Sequence, residues 1–129
     1  MTASSNGETP IRVVIADDEA DVRLLLRIQL ELEGFEIAGE AHDGQAAIDT
    51  CRDAQPHVVI LDLLMPGLNG FEAIPKLRRY HPNVAIVAYT AVAGEFVRKE
   101  MARMHIPLLL KSGNVTALAA KIRELAAAR

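Results

Sequence analysis

The sequence predicts an α/β domain, an open parallel sheet wound on both faces by helices. Three observations predict it. Short apolar runs alternate with amphipathic stretches five times along the chain. The central run, Val58-Val59-Ile60-Leu61, is apolar throughout, the pattern of a strand covered on both faces. That run leads into a carboxylate, Asp62, and a Pro66-Gly67 loop follows. Strict β–α alternation implies parallel strands with right-handed crossovers.

Each element has a local reason. The start is polar, so residues 1–9 read as a disordered lead-in and 10–129 as the domain. Ile11 to Ala16 reads as a strand ending in Asp17-Asp18-Glu19. Asp21 to Glu33 reads as a helix that Gly34 stops. Phe35 to Ala41 reads as a second strand, more polar and so nearer an edge. Gly44 to Ala54 reads as a helix that Pro56 cannot continue. Val58 to Leu63 reads as the third strand. Gly70 to Tyr80 reads as a helix closed by His81-Pro82. Val84 to Tyr89 reads as a strand, Gly94 to Met104 as a helix, Leu108 to Leu110 as a short strand and Val115 to Ala128 as the last helix. No linker, repeat or low-complexity segment marks a second domain.

Composition narrows the function. The 129 residues are 50% hydrophobic and 24% charged, enough for one core. A net charge of −3 gives no electrostatic case for binding nucleic acid or an acidic membrane. The absence of tryptophan argues against base-stacking platforms. No run has the length of a membrane span and no signal layout opens the chain, so the expected compartment is the cytoplasm. Cys51 lies in an apolar helical pattern and reads as core. His42, His57, His81 and His105 are scattered, without metal-ligand spacing, and read as solvated.

The chemistry emerges when the strand ends are aligned. Asp17 and Asp18, Asp62, Thr90 and Lys111 follow the first, third, fourth and fifth strands. In a parallel sheet these ends share one edge, where open α/β sheets bind ligands. Crowded carboxylates need a cation or proton to relieve them. A small set of oxygen ligands suits Mg²⁺. A carboxylate beside Mg²⁺, an ammonium and a hydroxyl can accept a phosphoryl group, because that transfer depends on positioning and charge neutralisation. Singly, each residue has a plainer role. Asp17 and Asp18 could cap the first helix, Thr90 could cap another, and Lys111 could be surface charge. Complementary groups on all these strand ends argue jointly for a site.

Four segments carry a resemblance. Val14-Ile15-Ala16-Asp17-Asp18-Glu19, Val59 to Gly70, Ala88-Tyr89-Thr90-Ala91 and Leu109-Leu110-Lys111 are similar to the motifs of response-regulator receiver domains. The likeness spans about residues 10 to 128. It implies a flavodoxin-like doubly wound fold of five β–α units, strand order 2-1-3-4-5. It implies that Asp62 accepts phosphate from a histidine kinase or phosphotransfer protein. Asp18 and Asp62 would bind Mg²⁺ directly, with the Leu64 backbone carbonyl, and Asp17 would act mainly through water. Thr90 would be the switch hydroxyl. Lys111 would pair with Asp62 and then with the phosphoryl oxygens. Such a domain catalyses only its own phosphorylation and dephosphorylation. The Gly39-Glu40-Ala41 and Lys111-Ser112 steps resemble receivers that precede DNA-binding domains. The chain would be a stand-alone receiver or one cut from a longer regulator.

Some positions depart from the family pattern. Leu108 stands where an aromatic is usual, Ser112 where proline is frequent, and Met104 where a glycine usually turns the chain. Leu64 and Val92, which would flank the path of a hydrolysing water, are both apolar, so a long-lived phosphoryl state is expected. In the first helix Val22, Leu25, Leu26 and Leu30 can face the sheet. Leu24, Ile28 and Leu32 form a stripe turned away from it, either a docking face for a kinase or a second subunit, or a rotated or covered helix. An aspartyl-nucleophile phosphatase on the same edge is the alternative function, but it would want an acid at Leu64. A flavin carrier would want a phosphate-binding loop where Asp17-Asp18-Glu19 stands.

Overall fold

In the computed structural model the described residues are 9–65, 67–91, 93–112 and 115–128. Residues 1–8 of the expected lead-in, Pro66 and Val92 lie outside them. The elements in chain order are β1 (Arg12–Ala16), α1 (Ala20–Leu32), β2 (Glu36–Ala41), α2 (Gly44–Ala54), β3 (Val58–Leu61), α3 (Gly70–Tyr80), β4 (Ala85–Thr90), α4 (Glu95–Arg103), β5 (Leu108–Leu110) and α5 (Thr116–Ala127). The strands form one parallel sheet in the order β2-β1-β3-β4-β5. The flavodoxin-like order and the edge position of the polar second strand are both as expected. No described helix is long and apolar enough to cross a membrane.

Strand alternation sorts the core into two layers. Val14 and Ala16, Val59 and Leu61, and Ile86 and Ala88 pack beneath α2, α3 and α4, against Ile48, Cys51, Ile74, Leu77 and Met101. Val13 and Ile15, Val58 and Ile60, and Val87 and Tyr89 pack beneath α1 and α5, against Leu26, Leu30, Leu118 and Ile122. Cys51 is fully buried, and burial pushes its thiol up to about 12, as befits a core residue rather than a nucleophile.

Several boundaries and side chains differ from expectation, each for a local reason. β3 ends at Leu61 rather than Leu63. The Asp62 N–H makes a last ladder bond to Ala16 O at 2.9 Å. The Asp62 side chain then accepts the Leu64 N–H at 3.1 Å, an Asx turn that leaves the sheet. After α4 the left-handed position falls on His105, at φ 58°, while Met104 keeps φ −87°. His105 N–H bonds Ala102 O at 3.1 Å and Ile106 N–H bonds Met101 O at 2.8 Å, a Schellman closure made without glycine. The Lys111–Ser112 peptide is trans.

Two histidines are not merely solvated. His57 Nδ1 accepts the Arg12 N–H at 2.9 Å, and His81 Nε2 lies 3.0 Å from Ile48 O. His42 and His105 are exposed. On α1 the stripe Leu24, Ile28 and Leu32 is exposed, at 56%, 48% and 83%. Leu25, expected to face the sheet, is 53% exposed as well. The buried ridge is Leu26 and Leu30 with half-buried Val22, spaced by four residues. Leu25 is rotated about 100° from Leu26 and falls beside that ridge.

Candidate functional site

The polar side chains converge at the carboxyl edge of the sheet. Asp17 leaves β1 with its N–H bonded to Ala41 O at 3.0 Å. Its Oδ1 accepts the Glu19 N–H at 2.9 Å, a second Asx turn, and its Oδ2 meets Lys111 Nζ at 2.5 Å. Asp62 follows β3. Its Oδ1 accepts from Leu64 N–H at 3.1 Å and Thr90 Oγ1 at 3.3 Å, and its Oδ2 meets Lys111 Nζ at 3.1 Å. Asp17, Asp62 and Thr90 are buried, at 2%, 5% and 0% exposure. Asp18 is exposed and makes no ion pair among the described residues.

The plainer roles do not account for all these contacts. The N-cap of α1 is Glu19, which makes no side-chain cap; Asp17 accepts the Glu19 N–H with one oxygen but turns the other to Lys111. The Thr90 hydroxyl faces Asp62, and Lys111 bridges two buried carboxylates. Lys111 lies closer to Asp17 than to Asp62, so the lysine ties the ends of β1 and β3 together. Leu64 reaches Asp62 through its amide, while its side chain is 64% exposed.

The loop carrying Asp62 is gripped by two helix starts. A Cβ on Gly70 would lie 1.9 Å from Asp62 O, and one on Gly44 would lie 2.2 Å from Leu68 O. Only glycine admits these backbones. A reciprocal capping box between Asn69 and Glu72 fixes the start of α3.

Charge at this edge is unbalanced. Burial pushes the Asp62 carboxyl above its ordinary value and Asp17 adds to the effect. The Leu64 N–H and Lys111 offset it only in part. Burial would lower the Lys111 ammonium, but Asp17 and Asp62 outweigh it and hold the lysine above its ordinary value. One oxygen each from Asp17, Asp18 and Asp62 lies within 4.8 Å of the others. Three carboxylates against one ammonium, with no sulfur or imidazole donor, fit a hard cation that takes oxygen ligands.

Sequence reasoning missed Arg23, Arg27 and Glu40. Arg23 Nη1 donates to the Asp17 carbonyl at 2.6 Å and its Nε to Glu40 Oε1 at 3.1 Å. Arg27 Nε donates to Glu40 Oε2 at 2.7 Å. Burial raises the Glu40 carboxyl, but the two guanidiniums outweigh it and hold it below the ordinary range. The available signal was a pair of arginines four apart on a helix otherwise rich in leucine.

Two rings near the site lie elsewhere than Leu108. Leu108 packs with the α2–α3–α4 layer, whereas Tyr89 belongs to the α1–α5 layer. Phe96 is exposed and stacks on Phe71 with centroids 6.3 Å apart.

Known proteins share this arrangement. The family profile described as the response regulator receiver domain matches residues 13–123. The chemotaxis protein CheY of Thermotoga maritima is 36% identical over 81 residues, 63% of this chain and 68% of that one. The response regulator GacA of Pseudomonas protegens is 38% identical over 81 residues, 62% of this chain but only 38% of GacA, so the match spans well under half of that relative. The crystal structure of the response regulator TrrA of Thermotoga maritima, in complex with Mg²⁺ and BeF, matches at TM-score 0.80 and 30% identity, covering 89% of this chain and 98% of that one. With its sheet order and its acidic carboxyl edge, the chain belongs to the response regulator receiver domains of two-component signalling.

Proposed function

We propose that this receiver accepts a phosphoryl group on Asp62 from the phosphohistidine of a cytoplasmic histidine kinase or phosphotransfer protein. The observation that carries the reading is the setting of Asp62. It is a nearly buried carboxylate with an ammonium at one oxygen, an amide and a hydroxyl at the other, and two more acids within reach. An Asp62 oxygen forms a bond to phosphorus as the P–N bond breaks. The bonding pair stays with the imidazole nitrogen, which takes a proton. Lys111 supplies positive charge for the equatorial oxygens, and the Thr90 hydroxyl supplies a neutral donor. Asp18, Asp62 and the Leu64 carbonyl would hold Mg²⁺, with Asp17 acting mainly through water. When bound, the ion would neutralise charge on the acids and the phosphoryl oxygens. The domain turns over no separate substrate; it catalyses only gain and loss of its own phosphoryl group.

The exposed stripe of Leu24, Ile28 and Leu32 supports a partner on α1, either the kinase's helix bundle or a second copy of the chain. An output partner would read the altered face. A net charge of −3 gives no electrostatic case for direct nucleic-acid contact by this domain. Labelling tests the function. Acetyl phosphate with Mg²⁺ should give a hydroxylamine-labile acyl phosphate on Asp62. Leu24→Glu with Ile28→Lys should keep that label but lose transfer from a kinase. No label, or an acid-stable one, sinks the phosphoacceptor reading; kinase transfer unchanged in the double variant sinks the docking face, and equal loss of both routes points to misfolding.

A further inference from the structure

We infer that Arg23 is a positioning residue for the metal-binding acids, acting through the backbone between Asp17 and Asp18 and held in turn by Glu40. The inference rests on the metal reading given above and deepens it. Asp17 and Asp18 are neighbours that differ in burial, one buried and one exposed, yet each brings a carboxylate oxygen within 4.8 Å of the other's and of Asp62's. The Asp17 carboxylate is fixed twice, by the Glu19 N–H and by Lys111. The Asp18 carboxylate has no side-chain partner among the described residues. Its direction is therefore set by the peptide plane that joins the two acids. The carbonyl of that plane accepts the Arg23 Nη1–H at 2.6 Å.

The arginine is itself held. Its Nε donates to Glu40 Oε1 at 3.1 Å, and the other Glu40 oxygen is taken by Arg27 one turn along α1. Glu40 stands opposite Ile15 in the β1–β2 register, two residues before Asp17. A helix, an edge strand and the acid loop thus meet on one carboxylate. Glu40 also offsets the guanidinium charge, so the carbonyl is gripped with less repulsion of a cation among the acids. Groups that orient ligands in this way typically govern metal affinity by 10- to 100-fold.

The sign of the effect separates this role from simple electrostatics. Arg23→Ala deletes a positive charge near the acids, which alone would tighten Mg²⁺ binding. Loss of the carbonyl bond would weaken it. Mg²⁺ should be titrated into the whole chain and its variants by calorimetry, with amide shifts as a second readout. Arg23→Ala should weaken Mg²⁺ binding about tenfold. Glu40→Gln should weaken it less, and Arg23→Lys should restore part of the loss. In acetyl-phosphate labelling, the half-saturating Mg²⁺ concentration should rise for Arg23→Ala while the rate at saturating Mg²⁺ stays near the parent's. Arg12→Ala removes a similar guanidinium clamp from the opposite sheet edge and should leave Mg²⁺ affinity unchanged. Parental or tighter affinity in Arg23→Ala, beside a parent that binds Mg²⁺, overturns the inference. Equal weakening in Arg12→Ala overturns it too, because loosening of the sheet would then explain the effect. If Arg23→Ala does not fold, Glu40→Gln and Arg23→Lys decide, and parental affinity in both refutes it. No Mg²⁺ binding by the parent removes the metal reading and this inference together.

Discussion

The two edges of the sheet use similar side chains to different ends. At the amino edge, Arg12 Nε meets Glu36 at 3.3 Å and its guanidinium reaches the carbonyls of Ala54 and Gln55, the end of α2. His57 Nδ1 accepts the Arg12 N–H. Each cation there has an anion or a helix C-terminus to face, and the groups are partly solvated. At the carboxyl edge the charges do not balance. Asp17 and Asp62 are buried and share one lysine, and Asp18 adds a third negative charge. The amino edge closes off backbone ends. The carboxyl edge gathers more carboxylate than its one lysine balances, an arrangement that fits a ligand carrying positive charge.

If that contrast is real, neutralising one acid should help the fold and abolish the chemistry. Asp62→Asn is expected to give no acyl phosphate at all, the largest effect foreseen here, while its metal-free Tm rises by a few degrees. The pH dependence fixes the cause. The Asp62 carboxyl titrates higher in the folded chain than in the unfolded one. Its favourable contribution is therefore complete below the unfolded value and is lost as pH rises through the folded value. The Tm gap between Asp62→Asn and the parent should close in acid and open on approach to neutral pH. Lys111 works at the other end of the scale. Its pKa is raised, so its contribution is complete below about 10.5 and is lost as pH rises through the folded value. Metal-free thermal melts of parent and variant across pH would check both. A variant less stable than the parent at neutral pH would mean that Asp62 is a balanced structural charge like those of the amino edge.

How much of this was legible in the sequence follows from the range of each signal. Strands and helices were legible because β1, β3 and β4 are apolar on both faces and the helices carry a local period. Asp17, Asp62, Thr90 and Lys111 were legible because topology alone brings strand ends to one edge. Arg23 and Glu40 were not, because their meeting depends on how α1 is rotated over β2, and periodicity left that rotation open. The same uncertainty misplaced Leu25. His105 was missed for a different reason. Glycine is the usual sign of a left-handed helix end, and here a residue with a side chain adopts that conformation. His57 and His81 read as solvated from the sequence because their partners, Arg12 N and Ile48 O, are backbone atoms distant along the chain.

A smaller effect should appear within the carboxyl edge itself. Leu64 offers Asp62 its amide but presents an exposed apolar side chain. It cannot orient a water for in-line attack on an acyl phosphate. Leu64→Asn or Leu64→Glu adds a group that can, and should speed loss of label several-fold without changing how much label is reached with saturating acetyl phosphate. Decay of isolated phosphoprotein would measure it. Parental decay in both variants would mean that the water is governed from another side of the site.

The smallest effect should be felt farthest along the sheet, at β5. Leu108 pairs with Ala88 and packs into the α2–α3–α4 layer, half-buried. It has no polar tip, so two positions of this side chain differ little in exposure or hydrogen bonding. A bound group shifts an equilibrium only by the difference it feels between two states. Tyr89 cannot stand in for a missing ring at this place. It pairs with Leu109, its ring is buried in the α1–α5 layer, and its hydroxyl interacts with the Ser112 backbone. Reaching Leu108 would require crossing the sheet. Phe96 is held on the surface against Phe71. Adding beryllofluoride and Mg²⁺ should therefore shift NMR signals strongly around Asp62, Thr90 and the described part of the loop from Ala91 to Gly94, and weakly from Leu108 to Lys121. Shifts across Leu108 to Lys121 as large as those at Asp62 would show that β5 and α5 report the site without an aromatic residue, through backbone movement transmitted by Lys111.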